Sequence, residues 1–109
     1  MYQKELLKGN TETLLLALLV QEPMYGYQIV KEMEQRSSGY FLFREGTLYP
    51  ALHRLEKARL INGAWAPSPN GQQRRYYSVS ELGMRELRRK AAEWRDFTQA
   101  VNLVMQPSR

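Results

Sequence analysis

The sequence predicts a mainly α-helical fold with a small β-hairpin and a long last helix. Three observations predict it. Apolar residues recur at helical spacing in three segments before residue 61, the period then turns to alternation on both sides of a turn-rich "PSPNG", and the final segment carries an apolar seam with a period near 3.5. At 109 residues the chain is expected to fold as one compact unit, with residues 1–79 as the binding module and 80–109 as a dimerisation helix.

The first periodic segment is "NTETLLLALLVQ", where Asn10 or Thr11 can cap a helix and Glu12 stands in its first turn. It should stop before Pro23, because the residue ahead of a proline is pushed out of helical geometry. A second helix begins near Tyr25 in "MYGYQIVKEMEQRSSG", with Tyr27, Ile29, Val30, Met33 and Met24 as its apolar stripe and Ser37, Ser38 and Gly39 as its stop. Tyr27 is expected in the core. "YFLF", residues 40–43, is apolar but too short for a helix and reads as a packed connector.

The third helix lies in "REGTLYPALHRLEKARLI", residues 44–61. Leu48, Ala51, Leu52 and Leu55 form one buried stripe, closed by Leu60 and Ile61. Pro50 is tolerated in a first turn, so the start is expected within a residue or two of Gly46 to Leu48, with Thr47 or Glu45 supplying a capping oxygen. "LINGAWA" and "QRRYYSV" then read as the strands of a hairpin, with Tyr77 and Val79 turned inward. Ser80 should cap the last helix, with Glu81 in its first turn. Along it Leu87, Ala91, Trp94, Thr98, Val101 and Met105 form the seam, flanked by Phe97 and Val104. A helix of this length spans roughly 39 Å, more than a small domain covers, so its outer half calls for a second copy of the chain.

Charge narrows the function. Residues 36–75 carry Arg36, Arg44, Arg54, Lys57, Arg59, Arg74 and Arg75 against Glu45 and Glu56, a local net charge of +5. Residues 1–35 hold Lys4, Lys8 and Lys31 against Glu5, Glu12, Glu22, Glu32 and Glu34, a net of −2. A local positive field favours a polyanion, of which nucleic acid is the commonest. No apolar run reaches the roughly 18 residues of a membrane span, the first residues lack the order of a secretory signal, and cysteine is absent. A cytoplasmic protein without disulfide or thiolate metal site is the expectation. His53, the single histidine, has no nucleophile or carboxylate cluster beside it, so neither an enzyme nor a metal or cofactor site is expected.

Three helices followed by a hairpin is the order of a winged helix-turn-helix, whose third helix enters the major groove while the hairpin reaches the adjoining backbone. Burying the stripe of the third helix leaves Tyr49, Pro50, His53, Arg54 and Lys57 facing outward. Tyr49 and His53 can bond base edges, and Arg54 and Lys57 can neutralise phosphates. Arg44, Gly46 and Thr47 stand at the helix start, where free backbone N–H groups suit a phosphate. On the wing, Gly71 allows a tight approach and Gln72, Gln73, Arg74 and Arg75 offer polar and cationic contacts.

"PMYGYQIVKEM", "EGTLYPALHRLEKARLI" and "RRYYSVSELG", in that order and followed by an aromatic last helix, resemble the PadR family of bacterial transcriptional regulators over about residues 9–105. The single last helix is similar to the short subfamily. The resemblance implies a homodimeric repressor of a palindromic double-stranded DNA operator, with a recognition helix from Thr47 to Ala58, a wing from about Trp65 to Arg75 and a dimer helix from Ser80 to Met105. Ala58 and Arg59 depart from the family pattern, which usually has a glycine after the recognition helix, and Ser80 replaces a threonine that caps no better. In some short members a tryptophan on the last helix stands at the dimer interface beside an opening for flat aromatic compounds. The resemblance extends that effector role to Trp94, with Phe97 as its neighbour, against the plainer reading of Trp94 as dimer core. The competing function is a protein–protein adaptor that uses the same modules without specific DNA binding.

Overall fold

The leucines of "LLLALLV" make the centre of the molecule. In the computed structural model, which describes residues 9–108, they belong to α1 (Thr11–Leu19), and Leu15, Leu16, Leu18 and Leu19 are all buried. Burial on more than one side fits the position of α1, which contacts all three other helices. The chain continues through β1 (Met24–Tyr25), α2 (Gly26–Arg36), α3 (Glu45–Lys57), β2 (Ile61–Pro67), β3 (Gln73–Val79) and α4 (Glu81–Met105). Lys4, Glu5 and Lys8, which enter the charge count, lie outside the described residues.

The expected helices form, with three local corrections. Gly26, Ile29 and Met33 are the buried line of α2, which places Tyr27 on the opposite side of the helix, 62% exposed, instead of in the core. α3 begins at Glu45, inside the expected range, but Pro50 then sits in its second turn instead of its first and removes the donor that would bond the Gly46 carbonyl. Neither Thr47 nor Glu45 caps it: Arg44 occupies the N-cap without a side-chain hydrogen bond, and its carbonyl accepts from the N–H groups of Thr47 and Leu48 at 3.0 and 2.8 Å.

β2 and β3 pair antiparallel from Ile61 opposite Val79 to Pro67 opposite Gln73, the hairpin expected from the alternation. A third strand was not foreseen. Met24 and Tyr25 pair with Tyr77 and Tyr76, giving the order β1-β3-β2 and fastening the wing to the start of α2. Ile61 and Tyr77 are buried with the helical core, while Val79 is half-buried against it. Burial pushes the Tyr77 phenol above its usual pKa, and the neighbouring Arg75 partly opposes the shift.

The end of α3 is closed by a residue in an uncommon conformation. Arg59 has φ +65°, and the following Leu60 N–H donates to the Leu55 carbonyl at 2.9 Å. This is the site where a glycine was expected, and the arginine carries the left-handed strain itself, about 1–2 kcal/mol. Arg59→Gly relieves that strain and returns roughly 0.5–1 kcal/mol of it as extra freedom in the unfolded chain. The expected result is a thermal midpoint raised by a few degrees, read in a melting curve beside the wild type.

Ser80 caps α4 as expected: its Oγ accepts from the Gly83 N–H at 3.0 Å and donates to the Arg59 carbonyl at 2.7 Å. The seam of α4 divides between two tasks. Leu87, expected at an interface between copies, packs against the core of its own chain, because the first turns of α4 lie over the domain. Farther along, Trp94, Phe97, Val101, Val104 and Met105 are exposed, reaching 83% at Val104. No helix among the described residues is long and apolar enough to cross a membrane.

Candidate nucleic-acid interface

α3 presents the face that its sequence stripe implies. With Leu48, Ala51, Leu52 and Leu55 buried, Tyr49, Pro50, His53, Arg54 and Lys57 are exposed along one side, and Arg44, Gly46 and Thr47 are exposed at its start. Thr47 cannot lend its N–H to a phosphate, since it already donates to Arg44; the open donors of the first turn are those of Glu45 and Gly46. Arg54 is held by Glu12 of α1 in a surface ion pair with 60% and 42% of the side chains exposed. Such a pair is weak and screened by salt, so Arg54 remains able to exchange Glu12 for a phosphate.

The wing is stiffened at its tip. Ser68 is buried but satisfied, its N–H and Oγ donating to the Gln72 carbonyl at 2.8 and 2.9 Å, while Asn70 Oδ1 accepts from the Gln72 N–H at 3.1 Å. Gly71 supplies the left-handed residue at φ +87°, where a side chain would be strained. This ties Gln72 and Gln73, both exposed, to a defined turn. Arg74 lies over the Tyr25 ring, 5.1 Å from its centroid, and donates to Gln72 Oε1 at 3.0 Å. Its Nε is shielded there and takes no hydrogen bond among the described residues. Arg75 points elsewhere, into an ion pair with Glu56 of α3.

Between wing, α2 and the start of α3 runs an open cleft of about 800 Å³. Tyr25, Tyr27, Arg44, Tyr49, Trp65 and Arg74 are among the side chains that line it. Tyr49 therefore does not simply project from the helix. Its phenol lies across Gly26, where a Cβ would come within 2.2 Å of the hydroxyl oxygen, so the missing side chain at Gly26 gives Tyr49 its place. Tyr27 and the 67%-exposed Trp65 belong to this surface although their positions in sequence did not mark them as site residues. For Tyr27 the signal was available in the spacing of Gly26, Ile29 and Met33; for Trp65 there was none, since alternation puts it on the same face as the buried Ile61 and only the fold carries that end of the strand beyond the core.

An exposed helical face of polar and basic side chains, flanked by a cationic hairpin, has the shape and charge that suit duplex DNA. Comparison with known proteins agrees with this geometry. Residues 15–89 match the family described as transcriptional regulator PadR-like. The chain belongs to the PadR-like family. A PadR-like transcriptional regulator from Bacillus cereus is 30% identical and superposes with a TM-score of 0.86 over 96% of this chain and 100% of that one. A Streptococcus transcriptional regulator is 32% identical, with a TM-score of 0.82 over 95% and 100% of the two chains. An uncharacterised protein of Lysinibacillus sphaericus is 29% identical over 97% of each chain. This PadR-like protein is accordingly a DNA-binding transcriptional regulator and not an enzyme.

In this PadR-like regulator the residues expected near an effector also come together. Trp94 and Phe97 pack with ring centroids 5.7 Å apart, on the wall of a second open cleft of about 720 Å³. Its other wall is built by Asn10, Thr13 and Leu14 of the α1 region and by Phe41 from the 40–43 connector. Lys90, Glu93 and Arg95 edge it with charge, and Ala91 forms its floor on α4. Thr98, half-buried, turns its Oγ1 back to the Trp94 carbonyl at 2.9 Å instead of facing the cleft.

Proposed function

We propose that the protein is a homodimeric repressor, working in the bacterial cytoplasm, that binds a palindromic operator through two α3 helices in successive major grooves, about 34 Å apart. The observation that carries this reading is the continuous outward face of Tyr49, Pro50, His53, Arg54 and Lys57, with Arg44, Gly46 and Thr47 at its start and Gln72, Gln73 and Arg74 beside it on the wing. The exposed outer seam of α4, Trp94, Val101, Val104 and Met105 with Ala91 and Thr98 at its edge, supports the second copy. A flat aromatic compound entering beside Trp94 and Phe97 would compete with that packing and release the operator.

The deciding measurement is a titration of palindromic duplexes from promoter regions at two salt concentrations, followed by a reporter placed behind the bound site. Preference for one duplex and lower reporter expression are expected; equal affinity for every duplex defeats the reading and leaves the adaptor alternative, which a DNA-independent pull-down would then test. Tyr49→Ala should erode discrimination among sites, by about 1–3 kcal/mol at the base pair it reads, whereas Arg74→Ala should weaken all duplexes alike and lower the salt slope by about one. Quenching of Trp94 fluorescence by aromatic compounds, in a Trp65→Phe background, checks the effector.

A further inference from the structure

The two cations near the start of β3, Arg74 and Arg75, are adjacent in sequence and belong to different surfaces. Arg75 is paired opposite Trp65 in the hairpin, and its guanidinium turns back across β2. At Gly63 a built Cβ would meet its Nη2, Cζ and Nε at 2.6, 2.7 and 2.7 Å, so the guanidinium lies flat in the notch that glycine leaves. On one side it stands 5.9 Å from the centroid of the Tyr77 ring, and at its end Nη2 pairs with Oε2 of Glu56 in the last turn of α3. Both side chains are only 34% exposed. The contrast with the open Arg54–Glu12 pair is one of enclosure.

We propose that Glu56 and Arg75 form a strut that sets the angle of the wing against the recognition helix, so that both are positioning residues for operator discrimination and Arg75 is not a phosphate contact. This rests on the reading of the protein as a sequence-specific regulator. A two-stranded hairpin has little stability of its own, and beyond Gly63 and Tyr77 the wing leaves the core that holds Ile61 and Val79. The strut sits at that exit. It also neutralises Glu56, the one carboxylate in the last turn of a helix that must lie against phosphates. Drawing Arg75 away to a phosphate would leave that carboxylate unpaired at the interface, a like-charge contact with the DNA.

The test uses two probes: the duplex that the wild-type protein enriches from a randomised pool, and a fixed duplex of unrelated sequence. Affinities of the full chain are measured over a series of salt concentrations for Arg75→Gln, Glu56→Gln, their combination and Gly63→Ala. Arg75→Gln is expected to keep the wild-type salt slope on the unrelated duplex, while the preference for the enriched duplex falls about tenfold. Glu56→Gln and Gly63→Ala should lower that preference similarly, and the double variant should fall no further than either single one. A slope reduced by about 0.9 in Arg75→Gln, with the preference unchanged, would make Arg75 a phosphate contact and overturn the strut. Additive losses in the double variant, or an unaltered preference in Gly63→Ala, overturn it as well. Should the wild type enrich no duplex, the sequence-specific reading itself fails. The strut is then decided by amide exchange at Trp65 and Ala66, where equal acceleration in the Arg75 and Glu56 variants sustains it and no acceleration ends it.

Discussion

Gly83→Ala is expected to cost about 3 kcal/mol of stability and to lower the thermal midpoint by roughly 10 °C or more. Helix propensity alone argues the other way, since alanine is favoured over glycine inside a helix by about 1 kcal/mol. Geometry reverses the sign. Gly83 is buried in the first turn of α4, and a Cβ there would stand 2.1 Å from the Leu60 carbonyl oxygen and 2.9 Å from Val79 Cγ1. A carbonyl cannot swing aside as a side-chain tip can, and the same backbone is already engaged: Ser80 N–H donates to the Leu60 carbonyl at 3.0 Å, and Ser80 Oγ bonds both Arg59 and Gly83. Alanine must lift the start of α4 off the hairpin and break this cap, and with it the anchoring of Leu87 against the core. Thermal melting read by circular dichroism checks it. A midpoint equal to or above that of the wild type would show that α4 is not seated on the end of α3 in this way.

The same joint shows what the sequence could and could not reveal. Ser80 as a cap was legible because serine before an acidic residue and a helical run has a local meaning. Gly83, three residues later, has none locally; its reason is the carbonyl of Leu60, brought near only by the fold. The hairpin was legible almost residue by residue, since alternation and "PSPNG" fix both strands, whereas β1 was not, because two residues offer no period. The outward face of α3 followed from four leucine and alanine positions. What that face is tied to did not follow: Arg54 finds Glu12 on α1, and Arg75 finds Glu56 on α3, partners set by tertiary approach. Tyr27 lies outside the core because it stands one step from the line of Gly26, Ile29 and Met33. The seam of α4 changes its partner partway along the helix, from the chain's own core, against which Leu87 is partly buried, to an open surface.

That change of partner makes Val104→Glu the sharpest test of the dimer. Val104 is 83% exposed in the single chain, so the substitution removes no contact within the fold and adds a residue of good helix propensity. In a symmetric dimer the seam meets its own copy, and two carboxylates would be buried among Phe97, Ala100, Val101 and Met105, which line an apolar groove at this end of α4. At about 2 kcal/mol for each unpaired polar group taken from water, the dimer should weaken by about 4 kcal/mol, near a thousandfold in its dissociation constant. Gln99→Glu is the matched control: it places the same charge on the same helix, on the side away from the seam, and should leave association unchanged. Sedimentation of the wild type and both variants at micromolar concentration reads the difference. The consequence carries to DNA, because two half-sites held by one dimer bind as a linked pair and by separate monomers only one at a time. Val104→Glu should therefore lose affinity for a full palindrome while keeping the weak affinity of a single half-site. A monomeric wild type, or a Val104→Glu protein that associates like Gln99→Glu, would mean that the exposed seam of α4 faces something other than a second copy of this chain.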